Sequence, residues 1–246
     1  MTPPKIAVEK LTKKYGGLVA LDDLSFQVEQ GETLGIIGPN GAGKTTLFDL
    51  MTGFQPATSG RVILNGREIT GMSPHQVVQQ GMNRTFQIVR PFRDLTVLEN
   101  VLVGLISGKG RLSRGKGRGE LGREAMELLQ LVNLAKSSLA LSRNLSHGEL
   151  KKLELARALS TYPDVLLADE VFSGLSAQET NELSEALVRV KEKRSLTLVM
   201  VEHRVSKVVQ LANRMMVLNY GRLLSLGTPQ EILHDDKVLE AYLGRG

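Results

Sequence analysis

Apolar and polar residues alternate with a period of two along the first third of the chain. Ile6 and Val8, then Leu24, Phe26 and Val28, then Val62 and Leu64 read as half-buried strands, the last ending in the Asn65-Gly66 hairpin signal. This predicts antiparallel β structure near the start. Between these runs, Thr33 to Gly38 (TLGIIG) is continuously apolar, as a buried parallel strand requires. KTTLFDLMTG follows with helical spacing and Gly53 placed to end the helix. From roughly residue 88 to residue 160 the period becomes helical throughout. Thr96 and Glu99 make a capping box before VLENVLVGL, REAMELLQLV keeps helical spacing, and Ser146 with Glu149 opens a third helix in NLSHGELKKLELARAL. Strands return in DVLLAD and TLVMVEH, with SAQETNELSEALVRVKEK as a helix between them. Such alternation argues for the α/β class with a largely parallel sheet, interrupted by a helical insertion.

Composition narrows the classes further. At 246 residues, 41% hydrophobic and 23% charged, the chain can bury the core of one elaborate domain, and two domains at most. The absence of cysteine excludes disulfides and thiolate metal sites and suits a reducing cytosol. MTPPKIAVEK has no apolar signal region, and no run approaches the roughly 18 apolar residues of a membrane span, so a soluble chain is expected. A net charge of +5 is too mild to name a partner. Six Lys/Arg and six Gly share the span Gly108 to Arg123, which reads as a mobile, solvated loop or, alternatively, as a contact for anionic lipid or nucleic acid. Without aromatics to stack bases there, the nucleic-acid option is the weaker one.

The chemistry concentrates in a few stretches. GPNGAGKT, Gly38 to Thr45, fits the phosphate-binding loop pattern without departure: glycines let backbone N–H groups curl around phosphate oxygens, Lys44 reaches the β and γ phosphates, and the Thr45 hydroxyl can ligate Mg²⁺. VLLADE brings Asp169 to the end of a buried strand, where it can hold Mg²⁺, and Glu170 follows as a carboxylate suited to polarise a water. His203 ends the strand pattern TLVMVEH and Gln87 ends another in NRTFQIV; taken singly, each is as consistent with a structural role. The four histidines are scattered without metal-site spacing.

The order of these elements, from Gly-rich loop through strand-end Gln, Ser-x-Gly-Glu helix start and Asp-Glu strand end to strand-end His, resembles that of the ATP-binding cassette proteins over essentially the whole chain. The resemblance implies a P-loop NTPase core with an N-terminal antiparallel β subdomain and an inserted α-helical subdomain. Residues 1–246 would form a single cassette domain, with 1–87 and 160–246 as nucleotide-binding core and 88–159 as helical subdomain. ATP and Mg²⁺ are the implied ligands. Tyr15 would stack on adenine. Gly38, Pro39, Asn40, Gly41, Ala42, Gly43, Lys44, Thr45 and Thr46 would hold phosphate, and Thr45, Gln87 and Asp169 would hold Mg²⁺. Glu170 would be the base, His203 would touch the γ-phosphate, and Gln87 would sense both metal and membrane partner. Ser146 and Gly148 would reach ATP held by a second cassette, identical or related, in a head-to-tail dimer.

Finer features, YGGLVALDDLSF, NRTFQIVRPFRDLTVLENVLVG, LELARAL and GTPQEILHDDKVLEAYLG, are similar to the ATPase subunits of bacterial branched-chain amino acid importers. Importers of urea, amides or aromatic acids share them, and a lipopolysaccharide export ATPase does so more distantly. The partners implied are transmembrane permease subunits and, indirectly, a periplasmic or extracellular solute-binding protein, at the cytoplasmic face of the membrane and without nucleic acid. A nucleotide-gated module with little turnover, or a soluble cassette acting on DNA or ribosomes, are the alternatives. Several residues depart from the family pattern. Val171 stands where Pro is usual, Ser176 and Ala177 replace Asp or Asn and Pro, and Glu149 replaces Gln. His147 replaces a Gly, and His is expected there as a residue that tolerates unusual backbone angles. Ser176 with Glu179 still makes a capping box.

Overall fold

The computed structural model describes residues 3–86, 89–107 and 117–243, apart from the side chains of Arg118 and Leu243. The chain divides into two compact units, one formed by Met1–Val77 and Thr197–Gly246, the other by Val78–Leu196. The first unit opens with β1 (Ile6–Tyr15) and β2 (Leu18–Val28), continues through β3 (Thr33–Ile37) and α1 (Lys44–Met51), and reaches β4 (Ser59–Leu64) and β5 (Arg67–Glu68) before α2 (Pro74–Gln80). β2, β1, β4 and β5 lie in that order as one antiparallel sheet. Its alternation is the sequence pattern made visible: Ile6, Val8, Phe26, Val28, Val62 and Leu64 are all buried. Asn65 and Gly66, at φ 52° and 74°, form the tight turn into β5 that the Asn-Gly pair predicts.

In the second unit, β6 (Met82–Arg84) is followed by α3 (Val97–Ser107), α4 (Arg118–Leu131), α5 (His147–Ser160), β7 (Val165–Asp169) and α6 (Ala177–Arg194). β6 and β7 pair in parallel, with Arg84 opposite Leu167. Thr96 and Glu99 close the box that starts α3, as the sequence predicts. Val97, Val101 and Leu105 then recur on one buried face, each burial contributing about 1.5–3 kcal/mol. Gly104 lets α3 approach α5, because a Cβ there would collide with the side chain of Ser160.

One expectation needs correction here. The basic, Gly-rich span Gly108 to Arg123 is not loop to its end, because α4 begins at Arg118. The Glu120 carboxylate accepts the backbone N–H of Gly117 at 3.2 Å and so fixes the helix start despite the surrounding glycines. Residues 108–116 of that span lie outside the described residues.

The chain returns to the first unit through β8 (Thr197–Val201), α7 (Val205–Leu211), β9 (Arg214–Asn219), β10 (Arg222–Gly227), α8 (Pro229–Leu233) and α9 (Asp236–Leu243). β3 lies between β8 and β9, parallel to both, and β10 runs antiparallel to β9. Every residue of β3 and β8 is buried, which is why both read as unbroken apolar runs. Ile37, Val208, Met215, Val217, Ile232 and Val238 gather beneath α7, α8 and α9 as a core. Among the described residues, no helix is long and apolar enough to cross a membrane.

Candidate functional site

β3 delivers the chain straight from the buried sheet into the loop Gly38–Gly43. The loop has no room for side chains at its two ends. A Cβ on Gly38 would collide with the carbonyl of Leu218, and one on Gly43, at φ 102°, would stand 2.7 Å from the Ala20 carbonyl and 2.8 Å from Leu21 Cδ2. Between them, Ala42 donates to the Pro39 carbonyl at 3.2 Å, and Gly221 donates to the Ala42 carbonyl at 3.1 Å. The loop is thereby fastened to the β9–β10 turn. Gly43 is the N-cap of α1 and brings no side chain to its orphan N–H groups. An anion is the group that helix terminus and loop together are shaped to receive.

Lys44 is buried, and its ammonium arches over the loop to donate to the carbonyls of Gly38 at 2.7 Å and Pro39 at 2.9 Å. Thr45 is exposed and Thr46 half-buried. Because Ile36 pairs with Val201 in the parallel β3–β8 ladder, Glu202 and His203 leave the sheet at the same end as the loop. Glu202 turns inward and is buried, whereas His203 is exposed. Tyr15 stands at the tip of the β1–β2 hairpin opposite Leu18, 45% exposed, with the Lys13 ammonium 4.8 Å from its ring centroid. This first unit thus brings together the phosphate loop and His203, with Tyr15 on the hairpin whose strand β2 abuts Gly43.

The second unit carries the carboxylates. β7 buries all five of its residues and ends on Asp169, whose Oδ2 meets an Nη of Arg84 from β6 at 2.5 Å. Both partners are buried, so each offsets the other's lost hydration. Glu170 follows at φ 47°, a left-handed conformation that costs a residue with a Cβ about 1–2 kcal/mol. Its carbonyl accepts the N–H of Ser173 at 3.1 Å, closing a turn directly after the strand.

The start of α5 lies beside that turn. Ser146 Oγ accepts the Glu149 N–H at 3.2 Å, and the Glu149 carboxylate accepts the Ser146 N–H at 2.9 Å and the Ser137 hydroxyl at 2.9 Å. These donors, the backbone N–H of Ser146 first, hold the Glu149 carboxyl below its ordinary range. Two acceptor oxygens serve both donors, which accounts for Glu at a position where Gln is usual. Gly148 is buried, and a Cβ on it would collide with the Glu179 carboxylate, so a larger residue there would have to displace that side chain from the Ser176 N–H it binds. His147 needs no unusual backbone angle, contrary to expectation: it is the first residue of α5 and is not among the left-handed positions. Its Nε2 lies 3.3 Å from the Ser173 carbonyl instead.

Gln87 lies outside the described residues. Two charged residues that sequence reasoning passed over are prominent. Arg84, a lone base in a three-residue strand, is the partner of Asp169. Glu154 lies inside the apolar run of α5, and its carboxylate accepts the Phe86 N–H at 2.5 Å. Burial pushes its carboxyl up to about 7, with Asp169 adding to the rise, against the Phe86 N–H and the charges of Lys151 and Arg157. The signal available was its spacing three residues before Arg157 on the same helix.

The residues present suit a nucleotide with a divalent cation. The loop is a cradle that side chains would fill, and each unit by itself has a hard oxygen of the kind Mg²⁺ prefers when it keeps waters and binds substrate phosphates, Thr45 in the first and Asp169 in the second. Among the described residues, no group of three or more His, Asp or Glu is placed to hold a metal ion.

Comparison with known proteins gives a consistent result. The family described as ABC transporter matches residues 21–173, and that described as branched-chain amino acid ATP-binding cassette transporter matches residues 222–246. The high-affinity branched-chain amino acid transport ATP-binding protein LivG of Salmonella typhimurium is 36% identical, with 99% of each chain covered. BraF of Pseudomonas aeruginosa, named for the same role, is 36% identical over 99% of each chain. Among solved structures, an ATP-binding cassette of an ABC transporter in its ADP conformation superposes with a TM-score of 0.88 at 31% identity, covering 99% of this chain and 100% of that one.

Two stability experiments follow from the second unit. Glu154 binds a proton in the folded state at pH values where the unfolded chain, near 4.5, has released it. Its contribution therefore falls as pH rises from about 4.5 to about 7 and stays unfavourable above that. Glu154→Gln cannot ionise, so in denaturant titrations its stability relative to the parent should rise across this window by on the order of 3 kcal/mol. A pH-independent difference would refute the shift. Gly174, at φ 75°, faces the His147 ring, which a Cβ would approach to 2.8 Å. Gly174→Ala should cost about 1–2 kcal/mol, and nearly as much in a His147→Gly background, since the strain is in the backbone while the ring can swing aside. Full recovery in the double variant would place the strain in the ring contact.

Proposed function

Because the chain belongs to the ABC transporter family, as an ATP-binding subunit homologous to branched-chain amino acid transport ATPases, we propose that it hydrolyses ATP to drive import of branched-chain amino acids or a related small solute. The phosphate loop carries this reading: a side-chain-free cradle after a fully buried strand, with Lys44 folded over it. The tail match and the relatives' names support the choice of solute.

In this reading the loop from Gly38 to Thr46, through its backbone N–H groups other than at Pro39, and the Lys44 ammonium bind the β and γ phosphates and hold the terminal phosphorus for in-line attack. Thr45 and Asp169, with Gln87, would hold Mg²⁺, which when bound supplies Lewis-acid stabilisation of charge on the phosphate oxygens. Glu170 accepts the proton of the attacking water, and its strained backbone fixes where that carboxylate is presented. His203 reaches the γ-phosphate and Tyr15 stacks on the adenine. Ser146 and Gly148 contact a nucleotide held by a second cassette, identical or related, so that closure of the pair completes each site. Permease subunits dock near residues 87–100, at the cytoplasmic face of the membrane, and a solute-binding protein acts on the far side.

Glu170→Gln should lower ATP turnover by about 100-fold or more while leaving binding of a fluorescent ATP analogue intact. Lys44→Ala should weaken binding itself. Turnover of Glu170→Gln at the parent's rate would overturn the assignment of the base. A parent that binds ATP without turnover, even with its permeases in proteoliposomes, would be a nucleotide-gated module instead. Uptake of labelled leucine against urea and aromatic acids in the same vesicles decides the solute.

A further inference from the structure

Two side chains on one face of α5 reach the chain on either side of Gln87. Glu154 accepts the N–H of Phe86 at 2.5 Å, and Arg157, three residues on, donates to the carbonyl of Arg90 at 2.9 Å. The Arg157 guanidinium also lies 4.9 Å from the ring centroid of Phe92. The downstream end is anchored a second time. Asn100, fully buried on α3, accepts the Phe92 N–H at 2.9 Å and donates to its carbonyl at 3.0 Å, while Ser142 donates to the same carbonyl at 2.8 Å. The upstream end connects to the carboxylate strand, since the Arg84 guanidinium sits 5.2 Å from the Phe86 ring and pairs with Asp169.

We propose that Glu154 and Arg157 are positioning residues: they hold the backbone at Phe86 and Arg90 in fixed register to α5, the helix that begins at Ser146 and Gly148. The inference rests on the proposed function, in which the N-terminus of α5 meets nucleotide and Gln87 reports to a membrane partner. Glu154 lies about 12 Å along the helix from the Ser146 cap, at 1.5 Å per residue, so α5 is a stiff link between the two. Any displacement at its start is transmitted to Phe86 by one hydrogen bond and to Arg90 by another.

Stability alone is a poor account of these residues. Glu154 is buried, flanked along α5 by buried Leu153, Leu155 and Ala158, and burial of a carboxylate costs hydration that a partner only partly returns. What a carboxylate adds is a directed acceptor for one backbone N–H. Arg157 is likewise half-buried, and burial lowers its basicity. Its planar fork serves a carbonyl and a ring face together in one fixed geometry, which the rotatable point charge of a Lys ammonium does not impose.

The test compares the parent with Glu154→Gln, Glu154→Leu and Arg157→Lys, each first checked for a cooperative unfolding transition. Amide hydrogen exchange at Phe86 and across residues 89–92, in the isolated protein without nucleotide, reads the tether directly. Glu154→Leu should speed Phe86 exchange by about tenfold, the equivalent of one hydrogen bond, whereas Glu154→Gln keeps an acceptor oxygen and should stay within about twofold of the parent. Arg157→Lys should loosen 89–92 and leave Phe86 protected. In proteoliposomes with the permeases, solute moved per ATP hydrolysed should drop in Glu154→Leu and recover in Glu154→Gln. Unchanged Phe86 exchange in Glu154→Leu, or a Gln variant that behaves like Leu, overturns the inference. Freed amides with undiminished coupling overturn it as well. A parent that fails to hydrolyse ATP would sink the transport reading, while the exchange results would still decide whether the tether exists.

Discussion

The geometry of the first unit depends on the absence of side-chain volume at the two ends of the phosphate loop. Gly38 lies against the backbone of β9 and Gly43 against that of β2, each closer than any Cβ would allow. The turn between β9 and β10 presses on the same place, where Gly221 receives its own neighbours in Ala20 and Leu21 and binds the Ala42 carbonyl. Two strands remote in sequence therefore hold the two ends of the loop, and α1 starts from the end so held. The unbroken apolar character of β3 follows from the same constraint, since only a strand flanked on both edges and buried throughout could bring the loop so close to two other backbones.

In the second unit the organising feature is charge rather than space. Asp169, Arg84 and Glu154 are all buried, and a set of this kind is poor material for stability. Its members nevertheless form one connected chain of contacts, from the end of β7 through β6 and Phe86 to α5. Each contact is directional and made in a buried setting, so the arrangement fixes a single geometry more strictly than apolar packing would. Within this unit, Asp169, the proposed base Glu170 and the start of α5 proposed to meet a second cassette all adjoin this frame.

The elements most legible in the sequence were those with a pattern long enough to repeat. The apolar runs of β3, β7 and β8, the alternation of β1, β2 and β4, and the Ser or Thr boxes opening α3, α5 and α6 each rest on several residues that agree. What escaped was set by single residues acting at a distance. Nothing around Arg84 indicates that it will face Asp169, 85 positions away. Glu154 is conspicuous only as a charge among leucines, and its partner is a backbone group that leaves no mark on the sequence. The start of α4 was hidden for a related reason: six glycines outweighed the one Glu that caps the helix. At His147 the family pattern suggested a backbone problem that the helix start does not pose, whereas the contact to Ser173 depends on a turn whose position only the fold supplies.

The departures after the Asp169–Glu170 pair also lose their separateness in three dimensions. Val171 and Phe172 are buried, so the position where Pro is usual is held by packing instead of by a ring in the backbone. Ser176 caps α6 and accepts the Glu179 N–H at 3.3 Å, and Glu179 returns its carboxylate to the Ser176 N–H at 2.9 Å. That same carboxylate is what leaves Gly148 no space for a Cβ. The box at the start of α6 therefore sets how closely the start of α5 can approach, and an Asp at position 176 could cap the helix equally well. A helix start that accepts Ser in place of Asp, beside a glycine whose nearest neighbour is the Glu179 carboxylate, couples the two helix N-termini: a larger residue at position 148 would push Glu179 out of the box that opens α6, and the identity of the capping side chain matters in so far as it keeps Glu179 in place.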